Sequence, residues 1–288
     1  MKKAIIIGSG PAGVSAALYL KRSGKNDVTV ISNGKSALAK AEKIENYYGI
    51  EAMSGEELET QGIESAKKLG IDFINAQVVA ITFDDLFKPI IETNKESLRA
   101  DALLIAMGAS RKSPRITGLS ELEGKGVSYC AICDAFFYQN KDVCVIGNGD
   151  YAIHEAQILA QTSKTVTILT NGTELTAEVP ENIKVINKKI LSVDGTNCVE
   201  SVTFDDRSTL TVSGVFVAIG VAGSTDLARK IGLELDGNKI KVDENMMTNI
   251  PGVFAAGDCT GGLLQVSKAV YDGASAGLAM IKYLSDSQ

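Results

Sequence analysis

One glycine spacing constrains this chain more than any other feature. Four apolar residues, Ala4 to Ile7, run straight into Gly8-Ser9-Gly10-Pro11-Ala12-Gly13. Val14, Ala17, Leu18 and Leu20 then recur at helical spacing, and Gly24 stands where a helix would be capped. Such a pattern predicts a buried strand, a tight turn and a helix, with Asp27 to Ile31 as a second strand. Ala102-Leu103-Leu104-Ile105-Ala106-Met107-Gly108 predicts a buried return strand that also ends in glycine. The plan then repeats. Val143-Cys144-Val145-Ile146 enters Gly147-Asn148-Gly149-Asp150-Tyr151-Ala152, and a helical pattern runs from Ala152 to Gln161. Thr165 to Leu169 predicts the next strand, and Val215-Phe216-Val217-Ala218-Ile219-Gly220 closes the copy. Turn signals at Asp194-Gly195 and Asp205-Asp206 divide β-rich segments ahead of that closure.

Strand, glycine turn, helix, strand, small antiparallel insertion and return strand is the plan of a dinucleotide-binding α/β unit. In Gly8-x-Gly10-x-x-Gly13 the first glycine permits the tight turn. The second lets backbone approach a pyrophosphate, and the third allows close helix–strand packing. The helix start then offers free N–H groups to phosphate. No Asp or Glu stands about twenty residues on, where Thr29 to Ser32 fall, so ribose recognition must come from elsewhere. Pro251-Gly252-Val253-Phe254-Ala255-Ala256-Gly257-Asp258 adds a further strand and turn, followed by a helical tail over 265–284 that is expected to rejoin the first unit. An Asp at the end of such a strand can hold a ribityl or ribose hydroxyl. The expected fold is therefore α/β, with two Rossmann-like three-layer domains. Residues 1–113 and 222–288 form the first, and 114–221 are inserted as the second.

Composition removes other classes. The 288 residues carry 29 Lys and Arg against 35 Asp and Glu, a net charge of −6, which argues against a nucleic-acid or anionic-membrane binder. No apolar run approaches the ~20 residues of a membrane span. The N-terminus imitates a signal peptide, but Gly8 and Gly10 interrupt its apolar stretch. Five cysteines are odd in number and sparse, unlike a secreted disulfide framework, so a cytoplasmic chain is expected. Within it, Cys130-Ala131-Ile132-Cys133-Asp134 is the reactive centre. Two cysteines so spaced can close a small disulfide, a local positive field lowers one thiol's pKa, and Asp134 can pass a proton to a leaving thiolate. Zinc is the rival reading. It wants about four ligands, and only His154 and three scattered cysteines remain.

These residues carry a resemblance. Gly8 to Gly13, Gly108-Ala109-Ser110, Cys130 to Asp134, Gly220 and Gly252 to Asp258 resemble the low-molecular-weight flavoprotein thioredoxin reductases, in colinear order along nearly the whole chain. The resemblance implies FAD in the first domain, a homodimer, and electron flow from flavin to disulfide to thioredoxin. It implies that Cys133 lies next to the flavin, that Cys130 exchanges with thioredoxin and that Asp134 is the acid. It implies a cofactor site built from Gly8, Ser9, Gly10, Pro11, Ala12, Asn46, Ala106, Gly108, Gly257, Asp258, Gln265 and Val266, with Asn46 approaching the isoalloxazine. It also implies rotation of the second domain, with residues near 113–120 and 218–224 as hinges.

The chain departs from that family at one place. Where the family carries a His-Arg-Arg and a further Arg to hold NADPH, this chain reads Leu169-Thr170-Asn171-Gly172-Thr173-Glu174-Leu175-Thr176-Ala177, and no Lys or Arg occurs between Lys164 and Lys184. Tyr151 stands where the family has Ser or Thr. The departure is similar to that of the ferredoxin-dependent flavin thioredoxin reductases, which implies a reduced ferredoxin as donor. Gly147-Asn148-Gly149 leaves NADH or NADPH open as alternatives. A dithiol oxidase passing electrons to oxygen and a non-catalytic flavin redox sensor are the other two. Cys144 and Cys259 are expected to be structural, as is His154. Cys198 has no assigned role. Arg111, Lys112 and Arg115 are expected in a solvated linker rather than on a ferredoxin-binding face.

Overall fold

The structure, a computed structural model, describes residues 1–109, 114–220 and 223–286. Ser110, Arg111 and Lys112 lie outside the described residues, as do Ser113, Val221 and Ala222 of the expected hinges. The chain divides into two compact units, Met1–Arg111 with Gly223–Gln288, and Lys112–Ala222.

In the first unit β1 (Lys2–Ile7), α1 (Pro11–Arg22) and β2 (Asn26–Ser32) are followed by α2 (Gly55–Lys68) and β3 (Asp72–Asn75). An antiparallel insertion of β4 (Val78–Phe83), β5 (Pro89–Thr93) and β6 (Ser97–Arg99) precedes β7 (Ala102–Ile105). The second unit contains β8 (Val127–Ser128), the short α3 (Ala131–Asp134), β9 (Asp142–Ile146), α4 (Asp150–Ala160), β10 (Thr165–Leu169) and β11 (Lys184–Ile186). Its own antiparallel insertion is β12 (Ile190–Asp194), β13 (Ser201–Phe204) and β14 (Thr209–Thr211), and β15 (Gly214–Val217) returns to the sheet. The first unit is completed by α5 (Ser224–Lys230), the pair β16 (Leu235–Asp236) and β17 (Lys239–Ile240), β18 (Val253–Ala255) and α6 (Val266–Asp286).

Both main sheets are parallel, in the orders β18-β7-β1-β2-β3 and β11-β10-β9-β15-β8. This is an α/β fold with two Rossmann-like units. Strands covered on both faces read as unbroken apolar runs. Ile5, Ile6, Leu103, Leu104 and Ile105 are fully buried in one unit, and Val143 to Ile146 in the other. Each large side chain of this kind contributes about 1.5–3 kcal/mol of burial. Ile7 pairs with both Ile31 and Ile105, and Ile105 pairs with Ala255. The loops after β1, β2, β7 and β18 therefore leave one edge of the sheet together, where open α/β sheets bind ligands.

Helix ends obey local chemistry. Pro11 opens α1, Lys21 and Arg22 lie in its last turn, and Gly24 comes next at φ +69. α4 begins at Asp150 rather than Ala152, because an acid suits the first turn of a helix. In α6, a Cβ at Gly273 would lie 2.1 Å from the Ala12 carbonyl oxygen, and one at Gly277 would lie 2.9 Å from that of Ala16. These glycines let α6 lie directly on α1. Gly273→Ala is therefore expected to destabilise the protein by about 1–3 kcal/mol or more, although Ala is the better helix former. Thermal denaturation checks this: a raised Tm would contradict so close a helix contact.

Candidate active site

The first glycine turn is shaped by two kinds of necessity. Gly8 sits at φ +114, and a Cβ there would lie 2.2 Å from the Ala106 carbonyl oxygen. A Cβ at Gly13 would lie 1.9 Å from the Gly8 carbonyl oxygen. The protein itself demands both glycines. Gly10 differs: its nearest neighbour would be the Ser36 side chain at 3.5 Å, an ordinary contact. Gly10 also offers α1 no side-chain cap, so the helix start is left to an external acceptor. Ser9 is buried, and Pro11 and Ala12 form the first turn.

A second loop closes on the same edge. Gly257 lies at φ +84, where a Cβ would come 2.9 Å from Ala12 Cβ. Its N–H donates to Asp272 Oδ2 at 3.1 Å, and its carbonyl accepts from Lys268 Nζ at 2.8 Å. Lys268 also donates to Thr260 Oγ1 at 3.0 Å and pairs with Asp272 at 2.6 Å. Burial raises the Asp258 carboxyl above its ordinary range, Lys268 opposes this, and the neighbouring Asp272 adds to it. Asn46 Nδ2 donates to Gln265 Oε1 at 3.3 Å, bringing the 45–49 loop to the residue before Val266, the first of α6. Gly108, at φ +72, accepts from Ser224 Oγ at 3.1 Å through its carbonyl. The expected cofactor residues of the first unit thus collect around the carboxyl ends of β1, β7 and β18.

In the second unit, Cys130 and Cys133 form a disulfide, with S–S 2.09 Å. Cys130 is 6% exposed, whereas Cys133 is exposed. The Cys133 N–H donates to Cys130 Sγ at 3.2 Å. Ser128 Oγ accepts from the Cys130 N–H at 3.0 Å and donates to Asp134 Oδ2 at 2.6 Å. The Ala131 N–H donates to Glu155 Oε2 at 2.8 Å, and Glu155 is 1% exposed. The Tyr138 phenol is raised above its usual pKa, first by burial, then by the charges of Asp134 and Cys198.

The second glycine turn is closed by its own chain. A Cβ at Gly147 would strike the Ala218 carbonyl oxygen at 2.2 Å. At Gly149 the nearest atom would be Thr176 Oγ1, at 3.3 Å. Thr176 donates to the Asn148 carbonyl through its N–H at 2.8 Å and its hydroxyl at 3.0 Å, and Asn148 Nδ2 donates to the Glu174 carbonyl at 2.8 Å. Three hydrogen bonds thus hold the 174–176 loop against the turn. The Tyr151 ring is buried within the unit, and Glu174 is exposed. Beyond β11, Lys188 is engaged by Asp206 at 2.7 Å and Ser208 at 2.9 Å. Lys189 reaches the loop through its Cβ, 3.6 Å from where a Gly172 Cβ would lie.

A family model described as pyridine nucleotide-disulphide oxidoreductase matches residues 2–273. The chain belongs to this family. Within it the chain is 36% identical over 299 residues to a thioredoxin reductase of Aquifex aeolicus, covering 98% of this chain and 93% of that relative. The crystal structure of the atypical thioredoxin reductase TRi from Desulfovibrio vulgaris Hildenborough superposes with a TM-score of 0.93 at 37% identity, covering 100% of this chain and 99% of that one. A ferredoxin-flavin thioredoxin reductase from Clostridium acetobutylicum gives a TM-score of 0.74 at 30% identity, covering 99% and 98%. This is a thioredoxin reductase-like oxidoreductase with a Cys-x-x-Cys disulfide.

For a member of this family the backbone at Gly10 leaves room that fits FAD: a Cβ there would meet nothing nearer than the Ser36 side chain at 3.5 Å. Gly8, Ser9, Gly10, Pro11 and Ala12 would hold its pyrophosphate, and Asp258 a hydroxyl. Burial pushes the Cys259 thiol up to about 12 and raises that of Cys144, so neither forms a thiolate near neutrality. Cys198 is a free, exposed thiol, and His154 is half-buried on α4. Among the described residues no group of three or more His, Cys, Asp or Glu is placed to hold a metal ion, and no helix is long and apolar enough to cross a membrane.

Sequence reasoning missed four residues of these sites: Ser128, Glu155, Lys268 and Asp272. Glu155 carried a readable signal, since 152, 155, 156 and 159 form the buried face of α4 and an acid there needs a partner. Lys268 and Asp272 stand four apart on α6, a spacing that pairs charges. Lys268→Met leaves a buried carboxylate without its cation and is expected to cost about 3 kcal/mol, with weaker flavin retention. Urea denaturation checks this: unchanged stability would mean that the pair does not brace the Gly257 turn.

Proposed function

We propose that the chain is an FAD-dependent enzyme that reduces thioredoxin through Cys130–Cys133 with electrons from a reduced ferredoxin rather than from a nicotinamide nucleotide. The observation that carries the choice of donor is the second glycine turn, filled above Gly149 by Thr176 and bonded to it through Asn148. No Lys or Arg lies between Lys164 and Lys184 to meet a 2′-phosphate. Charged hydrogen bonds to such a phosphate are worth roughly 1.5–3 kcal/mol each, so lacking two or three weakens binding ~10²- to 10⁶-fold. The description of the Clostridium relative as a ferredoxin-flavin thioredoxin reductase supports the same reading.

Bound FAD would supply the electron pair that reduces the disulfide. The chain's own residues manage the sulfur and proton chemistry. The Cys133 N–H already points at Cys130 Sγ, so a thiolate left on Cys130 meets a donor. Asp134, held by Ser128, is the proposed acid. Cys130 is 6% exposed, so its exchange with thioredoxin requires it to be uncovered. A ferredoxin near about −400 mV and a thioredoxin near about −270 mV differ by about 6 kcal/mol for two electrons, so the transfer runs downhill.

The test is anaerobic turnover of oxidised thioredoxin with reduced ferredoxin, NADPH or NADH supplied in turn. Turnover with ferredoxin alone is the expected result. Fast turnover with NADPH and none with ferredoxin would overturn the proposal.

A further inference from the structure

We propose that Glu155 is a positioning residue for the Cys130–Cys133 pair: its buried carboxylate, bonded to the peptide that links the two cysteines, makes the reduced pair a stronger reductant. The inference rests on the reading of Cys130–Cys133 as the working redox couple, and on no particular electron donor.

Of the four backbone N–H groups of 130–133, three have acceptors that set them apart. The Cys130 N–H is held by Ser128 Oγ at 3.0 Å. The Ala131 N–H is held by Glu155 Oε2 at 2.8 Å. Of these three, the Cys133 N–H is the one that reaches a sulfur, Cys130 Sγ at 3.2 Å. Ala131 is fully buried and Glu155 is 1% exposed, so this carboxylate acts with little screening by water. It projects from the core face of α4 into the peptide that links the two cysteines in sequence.

N–H donors and positive potential stabilise a thiolate, and a nearby negative charge penalises it. A dithiol whose reduced form is stabilised becomes an oxidant, and the converse makes it a reductant. Glu155 supplies the converse by placing a carboxylate against the peptide that links the pair. Its role is therefore to bias the couple toward giving up electrons, as a donor to another protein's disulfide must.

The experiment equilibrates the flavin-loaded protein anaerobically with mixtures of reduced and oxidised dithiothreitol. Dithiothreitol loses two electrons and two protons as its own S–S bond closes, and the Cys130–Cys133 bond breaks and takes them up. Differential alkylation and mass spectrometry read the fraction reduced. Glu155→Gln keeps the size and an acceptor oxygen but removes the charge. It is expected to shift the equilibrium about tenfold toward the dithiol, which is about 30 mV. Glu155→Met, of similar volume, removes both charge and acceptor and is expected to shift it at least as far. It also serves if the Gln variant folds poorly. An equilibrium within twofold of the parent protein in the folded variant overturns the proposal, because a purely structural Glu155 would lower stability and leave the couple unmoved. No thioredoxin or ferredoxin enters the measurement, so the result stands apart from the identity of either partner.

Discussion

Gly10→Val is expected to purify as a folded protein that holds its flavin about tenfold or more weakly and loses much of it on dialysis. The backbone at Gly10 has φ −72 and ψ −178, a conformation any residue adopts. No protein atom would lie within 3.5 Å of the new Cβ. The loss of a good N-cap residue costs at most about 1 kcal/mol, so the Tm should fall by only a few degrees. The ligand fares differently. A branched side chain in the open cradle crowds whatever lies against it, and overpacking of this kind costs about 1–3 kcal/mol, around tenfold or more in affinity. Flavin absorbance per chain after dialysis reads the effect. Full flavin content would mean that the turn does not cradle the cofactor. Gly8→Ala, by contrast, should fail to fold, since its Cβ would meet the Ala106 carbonyl at 2.2 Å.

The second large effect separates the two sulfurs. Cys130→Ser and Cys133→Ser should each lower thioredoxin reduction by ~10³-fold or more, because each removes a covalent participant. Their covalent chemistry should differ. With Cys133 replaced, Cys130 attacks the thioredoxin disulfide and no second thiol releases the product, so a mixed disulfide accumulates on a non-reducing gel. With Cys130 replaced, it does not. The structure makes this a demanding test, since Cys130 is the buried sulfur and Cys133 the exposed one. Trapping through Cys133 instead would reverse the assigned roles.

A feature is legible in the sequence to the extent that its cause is local. The repeated strand–turn–helix plan was legible because Gly8 and Gly13, like Gly147, are forced by contacts across a tight turn, and glycine leaves a spacing in the text. β10 runs over Thr165–Leu169 as its apolar residues predict, and the second unit's insertion turns after Asp194 and at Asp205-Asp206. Asn46 and Gln265 came from resemblance alone, and they meet across 219 positions. Ser128, Glu155 and the Lys268–Asp272 pair were not found, because their roles depend on which backbone groups the folded chain brings to them. The closure of the second turn was half legible. The missing cations are visible in the sequence, but the return of Thr176 onto Asn148 is a tertiary event with no local signature.

The central claim is that this family member has given up the nicotinamide nucleotide as its electron source. Anaerobic titration of the bound flavin, monitored by its visible absorbance, tests it most directly. The account predicts full bleaching by reduced ferredoxin and an unchanged spectrum with excess NADPH. Stoichiometric bleaching by NADPH would contradict it.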